Sequence, residues 1–271
     1  MRSLHVGVAQ VQARAGDVAG NLQRMLRQVQ AAAAVGVEAL LFAETVVQAY
    51  NLAPENLALA EPLDGPLARQ LSAWAVHYHL TLLAGMFERA EDGLYNTHVV
   101  ATPAGRLAGQ RKHRLTEWEI AAGLRPGPLE RTLIELNGVR CALLICYETG
   151  IDGIHATLID DGVEFLFIPT AGGGTPDEFL HIEELDTPAG RARYIANRSR
   201  VFNPEAILTP AGCPFPGWAS ANALGADGLG TVNQGHCMIV DRHRVLRAQI
   251  PGTNVYEHML DQMAHAVVMF D

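Results

Sequence analysis

Lysine is almost absent from this chain: Lys112 stands alone against nineteen arginines in 271 residues. Where any positive charge would do, the sequence uses guanidinium, so the one lysine marks a position that needs a compact, movable ammonium. Positive charge is also scarce overall, with 20 basic against 29 acidic residues and a net charge of −9 with histidine neutral. That balance excludes the basic face on which binding to nucleic acid or an anionic membrane depends. No run is long and apolar enough to span a bilayer. The first twelve residues alternate apolar Leu4, Val6 and Val8 with polar neighbours, unlike the continuous apolar run of a secretory leader. Cysteine is sparse: Cys141, Cys146, Cys213 and Cys237 form neither a CxxC pair nor a small disulfide framework. Repeats, low-complexity tracts and linkers are missing too. These absences lead us to expect a soluble, cytoplasmic protein with reduced thiols, folded as one domain over residues 1–271.

What is present is an alternation of short β-like runs with amphipathic helices. Leu4 to Val11, Ala39 to Phe42, Leu82 to Phe87, Thr97 to Ala101, Arg106 to Gln110, Val139 to Ile145 and Phe165 to Ile168 read as strands, the last closed by Pro169. A helix capped by Asn21 carries Leu22, Met25, Leu26 and Val29 on one face and stops at Gly36; others are expected over Leu67 to His79, from about Asp152, and around Ala189 to Ser199. A strand near Ala206 to Thr209 and a hairpin of His236–Val240 with Val245–Ile250 complete the pattern. Strands alternating with helices imply an α/β layer fold, and the hairpin signals at Glu91 to Gly93 and Asp241 to Arg244 make its sheets mixed.

Three strand ends carry chemistry. Cys146 follows the apolar run that starts at Val139, where a thiol would be held rigidly and acidified by a helix N-terminus and a nearby cation. Glu44 follows Leu40-Leu41-Phe42-Ala43, where partial desolvation would raise its pKa toward that of a general base. Lys112 ends a third strand in Gln110-Arg111-Lys112-His113. Each has a structural alternative: a packed core thiol, a carboxylate that has reached solvent, a lysine surviving by drift. Cys141 takes the core role.

In that order, Glu44, Lys112 and Cys146 resemble the Glu-Lys-Cys triad of the nitrilase superfamily of carbon–nitrogen hydrolases, a similarity that runs along essentially the whole chain. Ala43-Glu44 is similar to the family's segment around its base, with Ala43 where proline is common. Leu94-Tyr95-Asn96-Thr97 and Thr102-Pro103-Ala104-Gly105 resemble the hairpin leading to Arg111-Lys112. Leu144-Ile145-Cys146-Tyr147-Glu148 resembles the nucleophile segment, and Phe167-Ile168-Pro169-Thr170 the strand after it. Arg193 to Asn197 departs from the family run at Ala196, and Gly235 to Asp241 has Cys237 where serine is usual.

The resemblance implies a four-layer αββα sandwich of two mixed sheets with outer helices, and a homodimer or larger homo-oligomer to which Thr253 to Asp271 could contribute. It implies a cofactor-free, metal-free thiol hydrolase acting on a small-molecule amide, with nitriles and carbamoyl compounds as rival substrates. Glu44 would be the base, Cys146 the nucleophile, and Lys112 with the Tyr147 N–H the oxyanion donors. A second glutamate is expected in Lys112-His-Arg-Leu-Thr-Glu117-Trp-Glu119; Glu119 fits better and Glu117 is its competitor. Trp118, Tyr147, Thr170 and Ala171 are the expected oxyanion- or substrate-binding positions, with packing the alternative for Trp118 and Tyr147. Thr149 and Gly150 stand where members that bind a carboxylate near the scissile bond often have arginine, which points to a neutral or cationic amide unless Arg114 or Arg193 compensates. The rival of another class is a non-catalytic small-molecule-binding protein that keeps the fold.

Other signals carry less. Gly172-Gly173-Gly174 is not followed by Lys-Ser/Thr and reads as a flexible turn, not a phosphate loop. His77 and His79 are badly spaced for a metal, His181-Ile-Glu-Glu is not HExxH, and Arg191, Arg193, Arg198 and Arg200 suit a solvated or subunit-facing helix surface. If Lys112 is needed as a point charge, Lys112→Arg should reduce turnover at least about 100-fold, the size of losing an oxyanion donor; steady-state kinetics on the preferred amide would measure it.

Overall fold

Ala39-Leu40-Leu41-Phe42 is apolar at every position because both of its faces are covered. Ala39 and Leu41 point into one core, and Leu40 and Phe42 into another. Such double burial is the signature of a parallel strand inside a layered α/β fold. The computed structural model describes residues 1–201, 215 and 217–271; the expected strand near Ala206 to Thr209, Cys213, and the side chains of Arg198 and Arg200 lie outside the described residues.

In chain order the strands begin with β1 (Arg2–Gln10), β2 (Ala39–Phe42), β3 (Thr81–Ala90), β4 (Gly93–Ala101) and β5 (Leu107–Arg111). There follow β6 (Ile134–Leu136), β7 (Val139–Leu143), β8 (Phe165–Thr170), β9 (Gly173–Gly174) and β10 (Gly217–Asn222). The last are β11 (Leu224–Ala226), β12 (Val232–Gln234), β13 (Cys237–Val240), β14 (Leu246–Ile250) and β15 (Gln262–Phe270). The helices are α1 (Val18–Ala34), α2 (Pro54–Leu57), α3 (Pro66–Tyr78), α4 (Glu117–Ala121), α5 (Ile154–Asp160) and α6 (Pro188–Val201).

One six-stranded sheet has the order β15-β1-β2-β3-β4-β5, and a second has β14-β13-β10-β8-β7-β6. Both are mixed: β1, β2 and β3 run parallel, as do β7, β8 and β10, and antiparallel strands flank each trio. The sheets face each other across a core of Leu4, Val6, Val8 and Leu83 against Cys141, Leu143, Phe167 and Ile239. α1 and α3 cover the first sheet through Met25, Val29, Leu71 and Trp74, and α5 covers the second through Ile154 and Leu158. This is the four-layer αββα sandwich.

Three local expectations are corrected. The cap of α1 is Asp17, whose side chain accepts from the Gly20 N–H; Asn21 lies inside the helix, bonded to the Arg14 backbone and the Val47 carbonyl. β8 does not close at Pro169 but continues to Thr170. Its neighbour β7 stops pairing at Leu143–Phe167, so the edge on which Pro169 lacks an N–H has no strand to satisfy. Gly173-Gly174 is a two-residue strand, β9, paired with β12 in a small third sheet rather than a free turn.

The parallel trios matter because all their C-terminal ends emerge at one side of the sandwich. Two antiparallel steps, β3 to β4 to β5, bring the end of β5 to that side as well. Glu44, Lys112 and Cys146 each follow one of these ends. The turn after β2 is tight: Thr45 and Ala49 have φ of 46° and 65°, and Val47 donates to the Gly85 carbonyl. Gly85 is required there, since a Cβ would overlap the Thr45 backbone nitrogen and crowd the Glu44 carbonyl carbon. Gly85→Ala should therefore cost about 1–3 kcal/mol, the usual scale of overpacking, read as a lower urea midpoint at unchanged m-value.

Candidate active site

Lys112 is wholly buried, an expensive place for an ammonium unless it is paired and hydrogen-bonded. Its Nζ donates to Glu44 Oε1 at 2.7 Å and to Glu119 Oε2 and Oε1 at 2.9 and 3.1 Å. Both carboxylates are buried as well. The Asn96 amide, from β4, donates to Glu44 Oε1 at 2.7 Å and to Glu119 Oε1 at 2.8 Å, so it bridges the two acids. Glu119 also closes the N-terminus of α4 in a capping box: Thr116 N–H donates to Glu119 Oε2, and Glu119 N–H to Thr116 Oγ1. Glu117 is exposed on the same short helix. Of the two competing glutamates, Glu119 is the one that touches Lys112.

Cys146 sits at the first position of a one-turn 3₁₀ helix, Cys146–Gly150, with φ of 51°. A left-handed residue at a strand end turns the chain sharply. Burial, then the Glu44 charge, pushes the thiol up to about 12, opposed by Lys112 and by the Ala171 N–H that faces the sulfur. The acidified thiol expected from the sequence is not found, because burial outweighs the Lys112 charge. Burial raises the Glu44 pKa and Glu119 adds to it, with Lys112 pulling the other way. Desolvation works against the charge on Lys112, yet Glu44 and Glu119 outweigh it and hold the ammonium above its ordinary pKa. Among the described residues Glu44 Oε2 has no hydrogen-bond partner. Lys112 and Asn96 both occupy the other oxygen, Oε1.

The remaining expected positions divide. Ala171 faces the sulfur through its backbone, and Thr170 ties the sheets together: its carbonyl accepts from Glu44 N–H at 3.4 Å and its hydroxyl donates to Asn222 at 2.9 Å. Tyr147 is half exposed beneath the Arg114 guanidinium, 4.1 Å from its ring centre, so its side chain packs at the rim while its N–H stays beside the nucleophile. Trp118 does not line the buried cluster. It is 73% exposed, because the register that turns Glu119 inward turns its helical neighbours outward. Arg193 is committed to Glu184 at 2.6 Å, and Arg114 donates to the Gly150 carbonyl. Cys141 and Cys237 are buried in the inter-sheet core, and among the described residues no group of three or more His, Cys, Asp or Glu is placed to hold a metal. Among them also, no helix is long and apolar enough to cross a membrane.

Two participants went unrecognised in the sequence. Asn96 stood in a quoted motif but signalled nothing, since only the fold brings it to both acids. Tyr50, six residues after Glu44, lies against Glu44, Glu119 and Thr116; burial and those two carboxylates keep its phenol protonated.

The carbon–nitrogen hydrolase family profile matches residues 5–253. The "Hydrolase in pqqF 5'region" of Pseudomonas protegens is 34% identical over 174 residues, covering 63% of this chain and 60% of that protein. An "(R)-stereoselective amidase" of a Pseudomonas species is 29% identical over 66% of this chain and 64% of its own length. Among solved structures, a CN-hydrolase superfamily protein from Xanthomonas campestris aligns with a TM-score of 0.72 at 18% identity, covering 99% of this chain and 91% of that one. An amidase from Nesterenkonia sp. aligns at 0.71 and 20% identity, covering 98% and 89%. The chain belongs to the carbon–nitrogen hydrolase family.

The shifted groups set a pH dependence. Alkylation of Cys146 by iodoacetamide needs the first proton to leave the Glu44–Cys146 pair. Because Glu44 is raised, reactivity should be lost as pH falls through a value above the ordinary carboxylate pKa of about 4.3. In Glu44→Gln the limb should move up toward the thiol's own value, read by mass spectrometry across pH.

Proposed function

We propose that this protein hydrolyses the non-peptide C–N bond of a small amide through a thioester on Cys146. The observation that carries this reading is the arrangement around Lys112: one buried ammonium between Glu44 and Glu119, with a protonated thiol against the free oxygen of Glu44. Family membership supports it, and so do the amidases among its relatives.

Glu44 takes the proton from Cys146 as sulfur attacks the amide carbon and the carbonyl oxygen gains negative charge. Lys112, already positive and with its charge stabilised by Glu119, faces that oxyanion together with the Tyr147 N–H. The C–N bond then breaks, and Glu44 returns its proton to the departing amine or ammonia. In the second half Glu44 deprotonates a water, which attacks the thioester carbon. The C–S bond breaks, the proton goes back to sulfur, and the acid leaves. A cluster holding two carboxylates suits a neutral or cationic amide, and Arg114 and Arg193, each engaged with protein acceptors, are not free to anchor an anion.

Mixing the protein with pooled amides, carbamoyl compounds and nitriles, quenching in acid and weighing the intact chain should give a mass increment on Cys146 equal to the acyl group. The increment should be absent in Cys146→Ala. Turnover by Cys146→Ala at the parent rate would overturn the mechanism, and a strong preference for carboxylated amides would overturn the substrate class.

A further inference from the structure

A third buried carboxylate lies beside the site and takes no part in the reaction. Glu148, two residues after the nucleophile, is 0% exposed. One of its oxygens, Oε2, accepts from the Ile145 N–H at 2.8 Å, and Glu148 N–H returns a bond to the Ile145 carbonyl at 3.1 Å. These two bonds close the turn that holds Cys146 at its left-handed φ. The other oxygen, Oε1, reaches outside the turn and accepts from the His113 N–H at 2.6 Å. His113 directly follows Lys112. A single carboxylate therefore spans the residue before the nucleophile and the residue after the catalytic lysine, which stand on different sheets.

The charge of Glu148 has a buried counter-ion. Arg131, 3% exposed, places Nη2 at 3.2 Å from Glu148 Oε1. Burial pulls the Arg131 pKa down and Glu148 works against that, so the pair is held together by mutual need in a dry setting. The lysine side of the clamp is itself fixed: Lys112 N–H donates to the Asn96 carbonyl, Gly127 N–H to the Lys112 carbonyl, and His113 Nδ1 lies 2.8 Å from the Gly127 carbonyl. With both loops rigid, the carboxylate sets the distance between them.

We infer that Glu148, as an ionised carboxylate countered by Arg131, is a positioning residue that fixes Cys146 relative to Lys112 and Glu44. This rests on the thioester reading above. Both acceptor positions face backbone N–H donors, so an amide in place of the carboxylate turns an NH₂ against one of them whichever way it lies. Aspartate keeps the charge but is one methylene too short to hold both.

The test compares wild type, Glu148→Gln and Glu148→Asp. For each, kcat and KM are measured on the amide that acylates Cys146, with the pH profile of iodoacetamide alkylation of Cys146 and the urea midpoint. Misplacement by about 1 Å costs on the order of 100-fold in rate, so kcat should fall about 10- to 100-fold in both variants while KM stays within about 3-fold. The alkylation limb should move to higher pH, because Lys112, which lowers the pKa of both Glu44 and the Cys146 thiol, is no longer held against the pair. A purely structural role would lower the urea midpoint and leave limb and kcat in place, and that result would overturn the inference. If Glu148→Gln does not fold, Glu148→Asp decides: wild-type kcat and limb in the folded variant also overturn it. Alkylation needs no substrate, so absence of amide turnover by wild type would count against the proposed function while the limb still tests the clamp.

Discussion

Everything at the catalytic end of this sandwich answers to one constraint, the burial of a full positive charge at Lys112. An ammonium removed from water must recover its lost hydration through fixed acceptors. Glu44 and Glu119 supply them with three hydrogen bonds, and Asn96 keeps those acids from drifting apart. The same arrangement makes the two acids unequal. One oxygen of Glu44 is spent on Lys112 and the other is left for a proton. Glu119 is spent entirely on Lys112, Asn96 and Thr116, which leaves it no free oxygen for the reaction. Two carboxylates of one residue type thus take different roles because their partners differ.

The fold makes this affordable by bringing strand ends together. Parallel trios in two facing sheets deliver Glu44 and Cys146 to one side, and the hairpin β3–β4–β5 delivers Lys112 there after two reversals. Backbone strain occurs at the same place: Thr45, Ala49 and Cys146 all have positive φ without being glycine. The surrounding packing holds these residues in costly conformations. Gly85 is where that packing admits no side chain.

The layers were legible in the sequence wherever burial was two-sided or strictly alternating, as in Ala39-Leu40-Leu41-Phe42 and Leu4 to Val8. The catalytic-end residues were legible because their segments resemble a family and fall at strand ends. What escaped depended on contacts distant in sequence. Asn21 looks like a cap, yet its amide is drawn to Arg14 and Val47 and the cap passes to Asp17. Pro169 looks like a terminator, but whether a proline ends a strand depends on the neighbour at that edge. Trp118 adjoins Glu119 in the sequence, and one helical step puts it in solvent. Asn96 and Glu148 carry no local signal, since each acts by joining segments that meet only in the folded chain.

The order of the strands gives the molecule a particular history of assembly. All described strands of the second sheet lie between Ile134 and Ile250, whereas the first sheet is completed by β15, which pairs with β1 along its whole length, from Arg2↔Phe270 to Gln10↔Gln262. The second sheet is nested in sequence inside the first. On a ribosome, β1 emerges early and waits for nearly the whole chain before its outer neighbour exists, leaving an open edge in the meantime. Contacts of such long sequence separation close slowly. Lys112 and Cys146 follow strands of different sheets, so they meet only once both sheets are made.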